Sequence, residues 1–234
     1  MNGSPLIAEI AFQVGPVPVT MTVVITWAIM AACVGASILM SRTLSLKANA
    51  AQTVIELFVS TVEAQITATV QRDAAPYRAV IGGLFLFILL ANWSSIIPRV
   101  EPPTAHIETD AALAVIVFAA TLFYGIRTNG PIGYLKTFAE PTWVMIPLNL
   151  VEQITRTFSL MVRLFGNVMS GVFVVGIVLS LAGLLVPIPL MALDLLTGAV
   201  QAYIFAVLAT VFIGAAMGGE KDKPDAPEQT KGID

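Results

Sequence analysis

The stretch "NLVEQITRTFSLMVRLFGNVMSG", residues 149–171, decides how this chain folds. Seven of its polar members, Asn149, Glu152, Arg156, Ser159, Arg163, Asn167 and Ser170, stand 3, 4, 3, 4, 4 and 3 residues apart. Those spacings define one face of an α-helix held for about six turns. The residues between them are mostly Leu, Val, Ile, Phe and Met. Such a face cannot look at lipid. It must meet water, another polar helix face or a partner's carboxylate. Past Arg163, 30 residues follow without a formal charge, until Asp194. A guanidinium in hydrocarbon costs on the order of 3 kcal/mol on insertion scales, so its presence demands a reason.

The rest of the chain is as apolar as this segment. Of 234 residues, 57% are hydrophobic and 12% are charged, and the mean hydropathy is +0.86. A soluble domain carries about 25% charged residues. The expectation is an all-α integral membrane protein. A net charge of -3 gives no electrostatic support for nucleic-acid binding. One cysteine, Cys33, and one histidine, His106, leave no disulfide framework and no thiolate metal site. No cofactor, metal or catalytic group is expected. The N-terminus has no basic stretch before its apolar run, so no cleaved signal peptide is read there.

A membrane span needs roughly 20 apolar residues. Working outward, about five passes emerge. The first runs from about Val17 to Met40, the second from Ala79 to Ile97 and the third from Ala111 to Ile126. Between the first two, Val54, Leu57, Phe58 and Val62 recur at helical spacing, with Glu56 and Glu63 on other faces. That pattern reads as an amphipathic helix at the membrane interface. "RTNGPIGYLKTFAEPT", residues 127–142, reads as loop. The fourth pass is one long helix from Trp143 to about Leu181. At 1.5 Å per residue it would reach roughly 58 Å, nearly twice the hydrocarbon core. It must be strongly tilted, lie along the membrane or break. "AGLLVPIP" supplies a turn at Gly183, Pro187 and Pro189, and the last helix returns from about Leu190 to Met217. The last two helices, 142–217, thus form a long tilted hairpin. The organisation expected is an N-terminal helix with its flanks (1–46), a helical ion-translocating domain (47–217) and a polar, disordered tail (218–234). Trp27, Trp93 and Trp143 suit interfacial anchors. The glycines of "IGGLF" and "LFGNVMSG" suit close helix approach.

Basic residues set orientation. With the N-terminus outside, nine fall on the cytoplasmic side: Arg42, Lys47, Arg72, Arg78, Arg127, Lys136, Lys221, Lys223 and Lys231. Only Arg99 falls outside. Five passes then leave the C-terminus in the cytoplasm.

The last helix carries a second polar row, Asp194, Thr197 and Gln201, at spacings 3 and 4. The two rows are expected to face each other, with Gln201 near Arg163. A buried Arg163–Asp194 pair locking two helices is the structural alternative. It would not require Asn149, Ser159, Asn167 and Gln201 as well. An intramembrane ionisable row is by default an ion pathway.

These residues carry a resemblance. "SLMVRLFGNVMSG" resembles the signature of subunit a of the F-type ATP synthases. "FLFILLANWSSIIP", "IPLNLVEQITRTFSL" (with Pro147 at the expected separation from Arg163) and "QAYIFAVLATVFI" match that family in order, over about residues 50–217. The resemblance implies a stator lying against a rotating ring of c subunits, with b subunits of a peripheral stalk as further partners and lipid around it. It implies two aqueous half-channels that do not meet, in the plasma (inner) membrane of a bacterium. Arg163 matches the family's essential arginine, which would hold a passing ring carboxylate ionised. Burial in hydrocarbon favours the neutral carboxyl, a nearby cation reverses that, and Arg keeps its proton when buried.

By the same resemblance Gln201, Asn167 and Ser159 join Arg163 in ion translocation, and the polar row of the last helix adds Asp194. Asn149, Glu152, Arg156, Ser170, Thr197, His106, Glu108 and Asp110 line the half-channels. The chain also departs from the pattern. Many bacterial members have Glu and His where Val172 and Asp194 stand, so Asp194 is expected to carry the outer relay alone. Many have Asp near His106 and Asn near Glu108. Here His106, Glu101, Glu108 and Asp110 form an acidic cluster at the outer mouth, able to shuttle protons or concentrate cations; His106 as a plain solvated loop residue is the alternative. The translocated ion, proton or sodium, stays open. No GxxxxGK[ST] motif occurs, so ATP chemistry belongs to other subunits. A stand-alone secondary transporter or proton channel would use the same stripe, but no inverted repeat is visible. An intramembrane hydrolase would need a base beside Ser159 or Ser170, and neither has a neighbouring His.

Overall fold

A computed structural model of the chain describes residues 10–14, 17–43, 50–70, 75–97, 100–139, 143, 145–182 and 186–218. A short antiparallel hairpin opens it, β1 (Ile10–Val14) on β2 (Val17–Thr20), with an irregularity in register between Ile10 and Phe12. Six long helices follow: α1 (Met21–Thr43), α2 (Ala50–Val70), α3 (Ala75–Trp93), α4 (Ile107–Ala139), α5 (Met145–Ala182) and α6 (Pro187–Ala216). Five of them, all but α2, are long and apolar enough to cross a membrane. The protein is all-α in its membrane part, as its composition requires.

Three boundaries differ from expectation. Val17–Thr20 is strand, not the start of the first span. Its β-branched and proline residues disfavour helix and pair readily across a hairpin. Residues 127–139 are helical, not loop, apart from Gly130 at φ 71°, ψ 163°. Asn129-Gly130-Pro131 ends one helix with a left-handed glycine and starts the next with a proline, a kink rather than a long excursion. Tertiary contacts hold the second piece back against the first. The Tyr134 ring covers Gly125, and Asn129 Nδ2 donates to the Ala216 carbonyl (3.2 Å). Pro187 and Pro189 lie in the first turn of α6, where a missing N–H is tolerated. Gly183 and the tail from residue 219 fall outside the described residues.

Apolar surface gains little by leaving lipid for another helix, so membrane helices hold together through close van der Waals packing of small residues. Helix α6 supplies that face. Gly198, Ala202, Ala206 and Thr210, four apart, are all buried. Against it sit Ile88 of α3, Val117 of α4 and Leu164 of α5, with Phe205 filling the centre. A second cluster joins Ile66 of α2 and Tyr77 and Ile81 of α3 to Ile213 and Met217. Helix α2 runs antiparallel to α3, with Phe58 stacked on Phe85 at 5.6 Å and Arg78 paired to Glu63. It is less apolar than its neighbours, as an amphipathic segment should be. Helix α1 is hardly covered, with Trp27, Met30 and Val34 exposed.

Helix α5 is one unbroken run of 38 residues, roughly 57 Å long. A break is therefore removed from the three ways of fitting it to a bilayer. Tilt or an in-plane course is left.

Candidate functional site

Helix α5 packs into the core through Leu160, Leu164 and Val168, at spacing 4. That registration turns the polar stripe away from the core. Glu152, Ser159, Arg163 and Ser170 are exposed, while Asn149, Arg156 and Asn167 are partly buried. Beside the stripe lies an open cavity of about 530 Å³, lined by Glu152, Arg156, Ser159 and Arg163 from α5 and by Leu208 and Phe212 from α6.

The two arginines of this cavity are treated differently. Arg156 Nη2 donates to Glu152 Oε1 one turn earlier, and its guanidinium lies 5.4 Å from the centre of the Phe212 ring. Arg163 has no hydrogen bond and no ion pair among the described residues. The Arg163–Asp194 lock does not form, and no hydrogen bond joins Arg163 to Gln201.

Asp194 belongs to a second cavity, of about 200 Å³, which also takes in Glu101, Gly171, Val172 and Gly176. The two cavities have no lining residue in common. Along α5 their nearest members, Arg163 and Gly171, are roughly 12 Å apart. The Asp194 carboxylate rests directly on Gly171, with Cγ 2.7 Å from where a Cβ would stand. Of the glycines expected to allow close approach, Gly171 does so most sharply. Gly82 meets only Val62, at 3.9 Å, and Gly83 and Gly166 face open space.

The second polar row does not act as one face. Thr197 is exposed and donates to the Asp194 carbonyl (3.0 Å), Asp194 is partly buried and Gln201 is buried. Among the described residues the Gln201 Nε2 and the Asn167 Nδ2 are both buried without a partner, whereas Ser170 Oγ donates to the Asn167 backbone carbonyl (2.8 Å).

The expected acidic cluster divides. His106 is no solvated loop residue: its side chain is 11% exposed, with Nε2 3.5 Å from Glu101 Oε2. Glu108 is exposed. Asp110 is wholly buried, and neither carboxylate oxygen has a partner among the described residues. Helix α4 begins at Ile107, so residues 108 and 110 lie about 200° apart around it and cannot share a surface.

Sequence reasoning missed what holds this end together. Asn92 Nδ2 donates to the Gly198 carbonyl (2.9 Å), and the Thr104 hydroxyl donates to Asn92 Oδ1 (2.6 Å). All three residues are buried. The link ties α3, the Pro103–Ala105 turn and α6 into one block beside Glu101 and His106. Trp93 is more than an anchor, since its Nε1 donates to the Leu195 carbonyl (3.2 Å). Among the described residues no cluster of metal ligands occurs.

Residues 20–214 match the model of the family described as ATP synthase A chain. The chain belongs to this family. The ATP synthase A chain match takes in both cavities and every polar residue of α5 and α6 named above. Relatives agree over nearly the full length. "ATP synthase subunit a 2" of Bradyrhizobium sp. (strain BTAi1) is 52% identical over 93% of this chain and 98% of its own length. "ATP synthase subunit a" of Albidiferax ferrireducens is 45% identical over 94% and 97%. "ATP synthase subunit a 1" of Chlorobaculum parvum is 45% identical over 88% and 92%. As an ATP synthase A chain with five helices fit to span, the protein is a multi-pass membrane protein.

Proposed function

We propose that this chain is the ion-translocating stator subunit of a rotary ATP synthase in a bacterial plasma membrane. It faces a ring of c subunits, contacts the b subunits of the peripheral stalk and catalyses nothing itself. The N-terminus lies outside and the C-terminus in the cytoplasm. The Arg163 cavity is then the ring-facing site on the inner side, and the Asp194–Glu101 cavity belongs to the outer half-channel.

The observation that carries this reading is Arg163. It is exposed and, among the described residues, unpaired on an apolar helix, where a guanidinium needs a counter-charge. A ring carboxylate passing in lipid is neutral and gives up its ion when it meets this cation. Release on one side and reloading on the other follow, because the two cavities share no lining. Each elementary charge crossing 100 mV supplies about 2.3 kcal/mol for rotation. Asp194, Gln201 and Asn167 bring ions to the arginine from the outside, with Asp110 and His106 further along the same route and Glu108 at its mouth. Thr197 and Ser170 line that route. Ser159 and Asn149 line the inner side, where Glu152 and Arg156 satisfy one another.

The test is ion pumping by inverted membrane vesicles of the host, for wild type and Arg163→Ala, with and without sodium. Arg163→Ala is expected to abolish coupled pumping. Pumping retained in the variant removes Arg163 from the mechanism. Sodium dependence in the wild type separates sodium from the proton, the family's usual ion.

A further inference from the structure

Arg163 is not the only guanidinium in its cavity. Arg156 stands on the same face seven residues earlier, roughly 10 Å along the axis, and lines the same space. A mobile acidic group admitted there could come to rest on either. Only one is available. Arg156 has its counter-charge in Glu152, and the order Glu then Arg at i, i+4 is the favourable one on a helix. The Phe212 ring, on the neighbouring helix, holds the guanidinium face as well.

An exposed pair of this kind adds little to stability, so its worth lies elsewhere. The ionisable side chains lining the cavity carry one net positive charge, and with Arg156 neutralised that charge resides on Arg163. Resting on the reading of Arg163 given above, we propose that Glu152 and Phe212 sequester Arg156, so that a carboxylate entering the cavity meets Arg163 alone. Glu152 is thus a positioning residue for the ion-transfer step: it selects which arginine a passing acid meets. Freed, Arg156 would offer a second resting place two turns away in the same cavity, and ring carboxylates would stall on it.

The test uses the complete complex in inverted host vesicles, comparing ATP-driven pumping per assembled complex. Glu152→Gln is expected to lower pumping by about tenfold, the factor that about 1.4 kcal/mol of competition produces. Adding Arg156→Gln is expected to restore most of it, because the competing cation is gone. A purely structural pair would show its loss and its rescue in assembly, and not in pumping per assembled complex. Unaltered pumping in Glu152→Gln overturns the inference. So does a double variant as impaired as the single one, which would make Glu152 itself a carrier of ions. If Glu152→Gln lowers assembly, Phe212→Leu removes one of the two holds on the same guanidinium, and its smaller defect too must vanish with Arg156→Gln. Arg163→Ala run in parallel keeps the two readings apart. Pumping retained there defeats the reading of Arg163, whatever the Glu152 series gives. Pumping lost there, beside an unaffected Glu152→Gln, defeats this inference alone.

Discussion

Gly171→Ala adds one methyl group where the Asp194 carboxylate rests. The new Cβ would lie 2.7 Å from Asp194 Cγ and 3.2 Å from Oδ2, and closer still to Oδ1. Ordinary contact begins at 3.4 Å, and Oδ1 lies closest of the three atoms, so the carboxylate must move by well over an ångström. Overfilling a sealed core costs roughly 1–3 kcal/mol. Asp194 is only partly buried and borders a cavity of about 200 Å³, so it can swing into that space. The cost in stability should therefore sit near the lower limit, about 1 kcal/mol. The cost in function should be larger, because the only acid that α6 offers to the outer cavity has left its seat. We expect a small drop in the thermal midpoint of the purified complex and a several-fold loss of pumping. Gly171→Ala with Asp194→Ser should recover the midpoint and leave pumping low. Normal pumping by Gly171→Ala would refute the reasoning, since it would mean that ion transfer does not depend on where this carboxylate sits.

Three further outcomes are expected. Asn92→Ala removes two hydrogen bonds and strands the buried Thr104 hydroxyl, while the Gly198 carbonyl, inside α6, keeps its helical N–H; the change should cost roughly 1–3 kcal/mol, read as a lowered thermal midpoint. Gly130→Ala meets no steric obstacle, since nothing lies within 4 Å of the added Cβ, yet it forces φ 71° on alanine; a loss of about 1–3 kcal/mol is expected by the same measurement. Asp110→Asn should leave the assembled complex intact, because no hydrogen bond to either carboxylate oxygen supports the fold, while lowering ion pumping several-fold in vesicles.

The long helix was legible because two constraints agreed in it: polar residues at helical spacing and an apolar remainder too rich for water. Its observed limits, Met145–Ala182, depart from expectation by two residues at one end and one at the other. Turns were less legible. Asn129-Gly130-Pro131 is a turn signal in any chain, but whether helix resumes afterwards depends on Tyr134 reaching Gly125 and Asn129 reaching Ala216, contacts across 9 and 87 positions. His106, Glu108 and Asp110 alternate in sequence and read as one patch. Helix start at Ile107 sends Glu108 outward and Asp110 into the core. The Asn92–Thr104–Gly198 link carries no local signal, since each partner is an ordinary residue on a different segment. Gly171 did carry one, a small residue on a polar face, though not the identity of the atom it admits.

The position of Arg163 closes off the ordinary excuses for a charge in an apolar helix. Arg163 stands 18 residues after Met145 and 19 before Ala182, at the middle of α5. Internal neutralisation requires an acid of the same chain, and those nearest in the fold are occupied or turned elsewhere. Glu152 serves Arg156, Asp194 rests on Gly171 in the other cavity, and Asp110 is enclosed in the core without an ion pair. A role in packing is excluded by exposure, since the buried face of this helix is Leu160, Leu164 and Val168. Among the described residues no acid neutralises Arg163, which supports the proposal that its counter-charge comes from outside the polypeptide. A permanent partner would suffice for stability. A cavity open beside the guanidinium suits one that comes and goes.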